Sequence, residues 1–252
     1  MIRLIVTDLD DTLLRSDKTL SARTLAALTA CRAAGVKIAF ATARSAQAAR
    51  FCVEQFVPDI FIGYGGGLIQ AGGETLRRFD IPSVLSARLL GACLQEPAIT
   101  HIHATNETAA HTDWRAPDPA NPHYRYHDFL GNERHSYLKI SVVSADPGAV
   151  ERIAARFPML DMLRYTNEDL YRFAHRDAVK WNAVRLVARH YGLDAADIAA
   201  FGDDVNDLEM LRNCGAGVAV ANAIPAVKAA ARFVCASNDD DGVAAWLEEH
   251  VL

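Results

Sequence analysis

No apolar run in this chain approaches the length needed to cross a bilayer, and the first one is too short for a secretory leader before acidic residues interrupt it. Paired cysteines are missing: the five thiols (Cys31, Cys52, Cys93, Cys214, Cys235) are odd in number and scattered. That pattern excludes a disulfide framework and suits reduced, core-packed thiols in a cytoplasmic protein. Positive charge is not in excess either, and a net charge of -5 argues against non-specific binding to nucleic acid or to an anionic membrane. There is no Gly-x-x-x-x-Gly-Lys-Ser/Thr loop. The run Gly63-Tyr64-Gly65-Gly66-Gly67 fails as a dinucleotide fingerprint, because Leu68 stands at the third glycine position and a hairpin signal around Gly72-Gly73 follows instead of a helix. What remains is a chain of 252 residues, 51% apolar and 23% charged, long enough for one large domain or two modest ones.

The most informative stretch is Ile5-Val6-Thr7-Asp8-Leu9-Asp10-Asp11-Thr12-Leu13. Ile2, Leu4, Ile5 and Val6 read as a short buried strand, and three carboxylates and a hydroxyl follow at once. Uncompensated charge at a buried strand end is costly, so the cluster needs a cation or a shared proton. Residues i and i+2 of an extended chain lie on one side, which lets Asp8 and Asp10 point into one site. One carboxylate can then act as nucleophile while the other carries a proton and helps hold a metal. A solvated acidic turn is the competing explanation, since Asp is common in turns.

Along the chain, strand and helix signals alternate. Ser21 caps a helix running to about Ala34 and stopped by Gly35; Val36–Phe40 is a strand, Ser45–Phe56 a helix and Pro58–Ile62 a strand. This alternation predicts a parallel sheet covered by helices, with ligands at the carboxyl ends of its strands, where Asp8, Asp10 and Thr42 fall. A threonine at a helix start suits a phosphate oxygen, or serves as a plain cap. From about Pro82 to Phe173 the pattern changes to a helix (Ser83–Gln95), short alternating segments (Thr100–Thr105, Thr108–Asp113, Tyr137–Ser144), a helix opened by Asp146-Pro147, and two strands within Leu160–Phe173. This is an α+β module inserted in the parallel sheet domain, with a polar loop from Trp114 to His135. The parallel pattern resumes with a helix (Ala178–Tyr191) bearing Lys180, a strand (Asp197–Gly202) ending in Asp203-Asp204-Val205-Asn206-Asp207, and further short elements to the end. Six of the nine histidines lie between His101 and His135. His101 and His103 share a strand face and His111 could approach them, so a zinc site competes there with plain surface or substrate-facing roles.

Taken together, these residues resemble the haloacid dehalogenase superfamily and, within it, the Cof-like phosphatases with a type IIB cap. Asp8-Leu9-Asp10-Asp11-Thr12 matches the family's Asp-x-Asp-x-Thr motif, Thr42 in Ala-Thr-Ala-Arg the second motif, Lys180 the third, and Gly202-Asp203-Asp204-Val205-Asn206-Asp207 the fourth. Two departures are visible: Gly65-Gly66 stands for the usual Asn-Gly, and Trp181 for the glycine after the motif lysine. The resemblance implies an α/β fold with a Rossmann-like core of residues 1–81 and 175–252 and a cap of residues 82–174. It also implies hydrolysis of a small phosphorylated metabolite: a sugar phosphate, nucleotide or cofactor phosphate.

Phosphate monoester hydrolysis needs up to ~10²¹-fold acceleration, of which acid–base help supplies roughly 10²–10⁴. Covalent catalysis and charge neutralisation must carry the remainder. In the implied roles, Asp8 attacks phosphorus and Asp10 protonates the leaving oxygen, its pKa raised by neighbouring carboxylates. Mg²⁺ sits between Asp8, Asp203 and the main-chain carbonyl of Asp10. Lys180, Thr42, Asn206 and the N–H groups of Leu9 and Ala43 bind the phosphate, and Asp207 orients Lys180 or a metal-bound water. A phosphomutase using the same aspartyl-phosphate is the alternative enzyme, and a phospho-acceptor signalling module the non-enzyme alternative. Selectivity is expected on the insert, around His103, Asn106 or Trp114; oligomeric state is not legible.

Overall fold

The computed structural model describes residues 1–115, 123–130, 135–166 and 168–252. In chain order, the first part contains β1 (Leu4–Thr7), α1 (Ala22–Ala33), β2 (Lys37–Ala41), α2 (Arg50–Val53), β3 (Ile60–Gly63), β4 (Leu68–Ala71) and β5 (Glu74–Arg78). The insert follows with α3 (Ser83–Leu94), β6 (His101–Thr105), β7 (Ala110–Thr112), β8 (Arg125–Tyr126), β9 (Lys139–Val143), α4 (Pro147–Ala155), β10 (Leu160–Arg164) and β11 (Leu170–His175). The return contributes α5 (Lys180–His190), β12 (Ile198–Gly202), α6 (Leu208–Asn213), β13 (Ala216–Ala219), α7 (Pro225–Ala230), β14 (Phe233–Val234) and α8 (Gly242–His250).

The large sheet runs β14-β13-β12-β1-β2-β3-β4-β5, parallel from β14 to β3 and antiparallel through the β4–β5 hairpin. Its central strands are buried along their whole length, which is why they read as continuous apolar runs rather than alternating ones. The expected doubly covered parallel sheet is therefore what the chain builds. Register does the rest. Thr7 lies opposite Phe201 of β12 and Phe40 of β2, so Asp8, Asp203 and Thr42 all leave the sheet at one edge. The Asp8 amide donates to Phe201 O (3.1 Å), tying the two acidic segments together at the backbone.

The insert forms a second sheet, β10-β11-β9-β6-β7-β8, with its own apolar cluster that includes Ile102, Ile140, Val142, Tyr171 and Phe173 packed with Leu89, Leu90 and Val150 of α3 and α4. Ser21 caps α1 by accepting from the Thr24 amide (3.0 Å), and Gly35 ends it at φ 86°.

Two expectations change. The helix anticipated over Ser45–Phe56 is a single turn, Arg50–Val53. Ahead of it the Ala49 amide closes one i→i−4 turn on Ser45 O (2.9 Å), but Ser45 Oγ accepts from the Ala48 amide (3.0 Å), the Arg44 guanidinium takes the Ala48 carbonyl (3.5 Å), and the Cys52 amide goes to Ala49 O (3.0 Å), so the turn is not continued as a regular ladder. The polar Trp114–His135 stretch contains the two-residue strand β8, exposed at both positions and too short for a periodic signal. Residues 116–122 and 131–134 of that expected loop lie outside the described residues.

Truncating Phe201, fully buried in β12 and edge-on to Trp246 at 5.3 Å, tests this core. Phe201→Ala is expected to lower unfolding free energy by about 3–5 kcal/mol in a urea titration.

Candidate active site

Asp8 is buried where β1 ends, and Lys180, at the first turn of α5, places its ammonium 2.8 Å from Asp8 Oδ1 and 2.7 Å from Asp207 Oδ1. Burial pushes the Asp8 carboxyl well above its ordinary range, outweighing the attraction of Lys180; Asp207 and Asp203 push the same way. Asp207 is wholly buried, and its other oxygen accepts the amides of Asp203 (3.1 Å) and Asp204 (3.3 Å). It therefore orients both Lys180 and the loop that carries Asp203. A Cβ on Gly202 would run into the Asp207 side chain, which accounts for glycine at the end of β12.

Asp203 accepts from Thr12 Oγ1 at 2.7 Å, and burial, together with the nearby Asp207, pushes its carboxyl up to about 7. Carboxylate oxygens of Asp8, Asp203 and Asp207 lie within 4.8 Å of one another, the one such metal-capable cluster among the described residues. Three carboxylates against a single ammonium leave the pocket short of positive charge. An all-oxygen donor set of this kind fits a hard divalent cation such as Mg²⁺.

Asp10 stands differently from the expectation. Its oxygens accept from Arg44 Nε (2.6 Å) and Nη2 (2.7 Å), with Lys18 at 3.3 Å. Burial raises its pKa, but the Arg44 hydrogen bonds and charge, with Lys18, outweigh it and hold the carboxyl below its ordinary range. The anticipated upward shift from neighbouring carboxylates is thus overturned, because Asp10 meets the Arg44 guanidinium and the Lys18 ammonium rather than Asp8 and Asp203. Its side chain is spent on Arg44, which leaves only the main-chain carbonyl for a metal.

Thr42, buried at the end of β2, accepts from the Arg44 amide (3.1 Å). The glycine run holds this loop: the Tyr64 amide donates to Arg44 O and the Gly65 amide to Thr42 O, both at 2.9 Å. Gly65 (φ 69°) has no room for a side chain, since one would meet Arg172 of β11, and a Cβ on Gly66 (φ 107°) would meet the Val179 backbone. The first departure from the family pattern thus makes room for an arginine of the insert; the second, Trp181, packs partly buried on the main core.

Asp8, Asp10, Thr42, Ala43, Lys180, Asp203, Asn206 and Asp207 line one cavity of about 730 Å³, which the insert completes with Thr105, His123, Tyr124, Lys139, Tyr165, Thr166, Glu168 and Leu170. Leu9 is fully buried and is not part of that lining. Of the insert residues named for selectivity, none lines the cavity. Asn106 braces its own turn, accepting from the Thr108 and Ala109 amides (2.9 and 2.8 Å); Trp114 stacks on His101, and His103 packs on Tyr124. The histidine zinc site does not form either. His103 pairs with Thr112 and His111 with Ala104, so alternation turns His111 to the opposite face from His103, where its Nδ1 meets Tyr137 Oη at 2.9 Å.

Arg44, Thr12 and Lys139 carry site contacts to which the sequence alone assigned no role. The first two sat inside quoted motifs, so their spacing was visible while their partners were not. Lys139, on β9, had no signal at all.

The family model described as haloacid dehalogenase-like hydrolase matches residues 5–247. The chain belongs to the haloacid dehalogenase-like hydrolases. Among curated relatives of this hydrolase, YxeH of Bacillus subtilis (strain 168) is 29% identical over 275 residues, covering 100% of this chain and 99% of that protein. The HMP-PP phosphatase of Enterobacter sp. (strain 638) is 29% identical over 241 residues, covering 89% and 86%. Among solved structures, a haloacid dehalogenase-like hydrolase from B. subtilis superposes with TM-score 0.86 at 22% identity, covering 100% of both chains. The subclass IIB sugar phosphatase BT4131 gives TM-score 0.84 at 21% identity, covering 98% of each. The family reading of the motifs is therefore correct, and the hydrolase carries the core-plus-insert fold of these neighbours.

The Asp203 shift has a measurable consequence. A folded-state pKa of about 7 against an ordinary 3.8 means that the native state binds the proton more tightly than the unfolded chain. Stability from this group is then greatest at low pH and is lost as pH rises from about 4 to about 7. With chelator present, thermal melts across that window are expected to show the decline, and Asp203→Asn, which keeps an acceptor for Thr12, is expected to flatten it.

Proposed function

We propose that this hydrolase is a Mg²⁺-dependent phosphatase that cleaves a small phosphate monoester through an aspartyl-phosphate on Asp8. The observation that carries the reading is the convergence of Asp8, Lys180, Asp203 and Asp207 at one sheet edge, with the Lys180 ammonium within 2.8 Å of two carboxylates. The names of relatives, an HMP-PP phosphatase and a subclass IIB sugar phosphatase, support phosphorylated metabolites as the substrate class.

In the first half, an Asp8 oxygen attacks phosphorus, the phosphorus–oxygen ester bond breaks, and the leaving oxygen takes a proton from Asp10. In the second half, Asp10, again ionised, takes a proton from the water that attacks the aspartyl-phosphate, and inorganic phosphate and free Asp8 return. Lys180 contributes fixed positive charge to the phosphoryl oxygens, and Thr42 and Asn206 line the cavity as hydrogen-bond donors. A magnesium ion held by Asp8, Asp203 and the main-chain carbonyl of Asp10 would supply the charge that offsets repulsion between carboxylate and phosphate. Arg44 keeps Asp10 in the ionised form needed for the second half, so the first half requires this pair to loosen when substrate enters.

Two measurements test the reading. A panel of phosphorylated metabolites incubated with Mg²⁺ should release inorganic phosphate, and Asp8→Asn should lower the rate on the order of 10³-fold or more; release unchanged by that substitution or by chelation would rule the mechanism out. Arg44→Met removes the group that holds the Asp10 pKa down while leaving its burial. Since the first half needs Asp10 protonated, the alkaline limb of the kcat/KM–pH profile should therefore move to higher pH.

A further inference from the structure

The sheet of the insert has two unlike faces, and strand alternation assigns residues to them. Ile102, Ala104, Ile140, Val142, Tyr171 and Phe173 belong to the insert's apolar cluster. Thr105 and Lys139 alternate with them and project the other way. They are direct partners across β6 and β9, so their side chains stand together, and both line the catalytic cavity along with Tyr165.

Lys139 donates to Ala43 O at 3.1 Å, and no carboxylate among the described residues pairs with it. Burial, then the like charges of Arg172 and Arg44, push its ammonium down to about 8. Arg44 is held by Asp10, and Arg172 by Asp161 through Nη2 (2.8 Å), its Nε and Nη1 being buried with no hydrogen-bond partner among the described residues. The hydroxyls of Thr105, the cross-strand partner of Lys139, and of Tyr165, which lines the same cavity, are buried with no hydrogen-bond partner among the described residues. A partly buried cation without counter-charge and two unpartnered hydroxyls are costly in isolation, and together they supply the donors that receive an anion. Lys139 and Thr105 stand on the sheet of the insert, whereas Asp8 and Lys180 belong to the core, so this pair lines the insert side of the cavity; Tyr165 is within electrostatic reach of Lys180 and Asp8.

We propose that Lys139, Thr105 and Tyr165 form a second anion subsite on the insert, which binds a carboxylate or phosphate on the leaving portion of the substrate, so that this hydrolase prefers phosphate monoesters carrying a second anionic group. The proposal rests on the phosphatase reading for the placement of the ester at Asp8. A purely structural Lys139, tying the insert to Ala43, would affect charged and neutral esters alike.

The test uses matched pairs. Carboxylate is read by 6-phosphogluconate against sorbitol 6-phosphate, and a second phosphate by fructose 1,6-bisphosphate against fructose 6-phosphate. The anionic member of at least one pair should win by about tenfold or more in kcat/KM, and which pair responds names the group. Lys139→Met should bring that ratio to within about twofold of unity, while Lys139→Arg retains most of it. The same ratios are measured by calorimetric binding to Asp8→Asn with Mg²⁺, where no turnover is needed. Equal efficiencies in both pairs, or a Lys139→Met variant that weakens both members of a pair equally, would overturn the subsite. Absence of phosphate release with a retained binding preference would instead overturn the phosphatase reading and leave the subsite standing.

Discussion

Electrostatic repulsion among carboxylates is the constraint around which this molecule is arranged. Asp8, Asp203 and Asp207 are gathered at one sheet edge, and only Lys180 stands directly among them. At an effective dielectric of 20, like charges about 4 Å apart repel by roughly 4 kcal/mol, so the cluster persists only because other elements hold it. The Lys180 ammonium is locked by Asp207, Asp207 by two main-chain amides, and Asp203 by Thr12. The restraints join three segments, the turn after β1, the start of α5 and the 203–207 loop, and the parallel sheet is what brings them together. Burial first, and that repulsion after it, raise the pKa values of Asp8 and Asp203, and the same deficit of positive charge is what a divalent cation would satisfy.

A second set of contacts links the insert to this edge. Thr166, in the β10–β11 hairpin, donates to Asp204; Lys139 donates to Ala43 O; Tyr64 Oη reaches Asn106 O at 2.8 Å; and Arg172 lies against Gly65. These contacts fall on the loops that carry Thr42 and Asp203, so the position of the insert and the shape of the phosphoryl site are mechanically connected. The cavity takes its acidic floor from the core and the rest of its polar lining from the insert.

Much of this was legible before any coordinates. Continuous apolar runs such as Leu4–Val6 and Ile198–Phe201, each ending in acid, dictated buried parallel strands with functional carboxyl ends, because such runs have no other stable surroundings. The break in pattern at Pro82 marked a change to alternating strands, since only a sheet with one solvated or polar face alternates. Where a local rule governed, the reading was good: Ser21 as cap, Gly35 as stop, Gly72-Gly73 as hairpin. It failed where a distant group competed with the local one. The helix expected from Ser45 is cut to one turn because Arg44, held by Asp10, also takes the Ala48 carbonyl.

By itself the sequence determined the order of the elements, the acid at the strand ends and the identity of the residues next to Asp8, since these depend on periodicity and on spacings of two to four residues. Only the tertiary structure decided that Asp10 pairs with Arg44 across 34 residues, that Thr12 serves Asp203 across 191, and that Lys139 enters the cavity at all. Those pairings depend on strand register and on how the insert lies over the sheet edge, and nothing in the neighbouring residues encodes either of them.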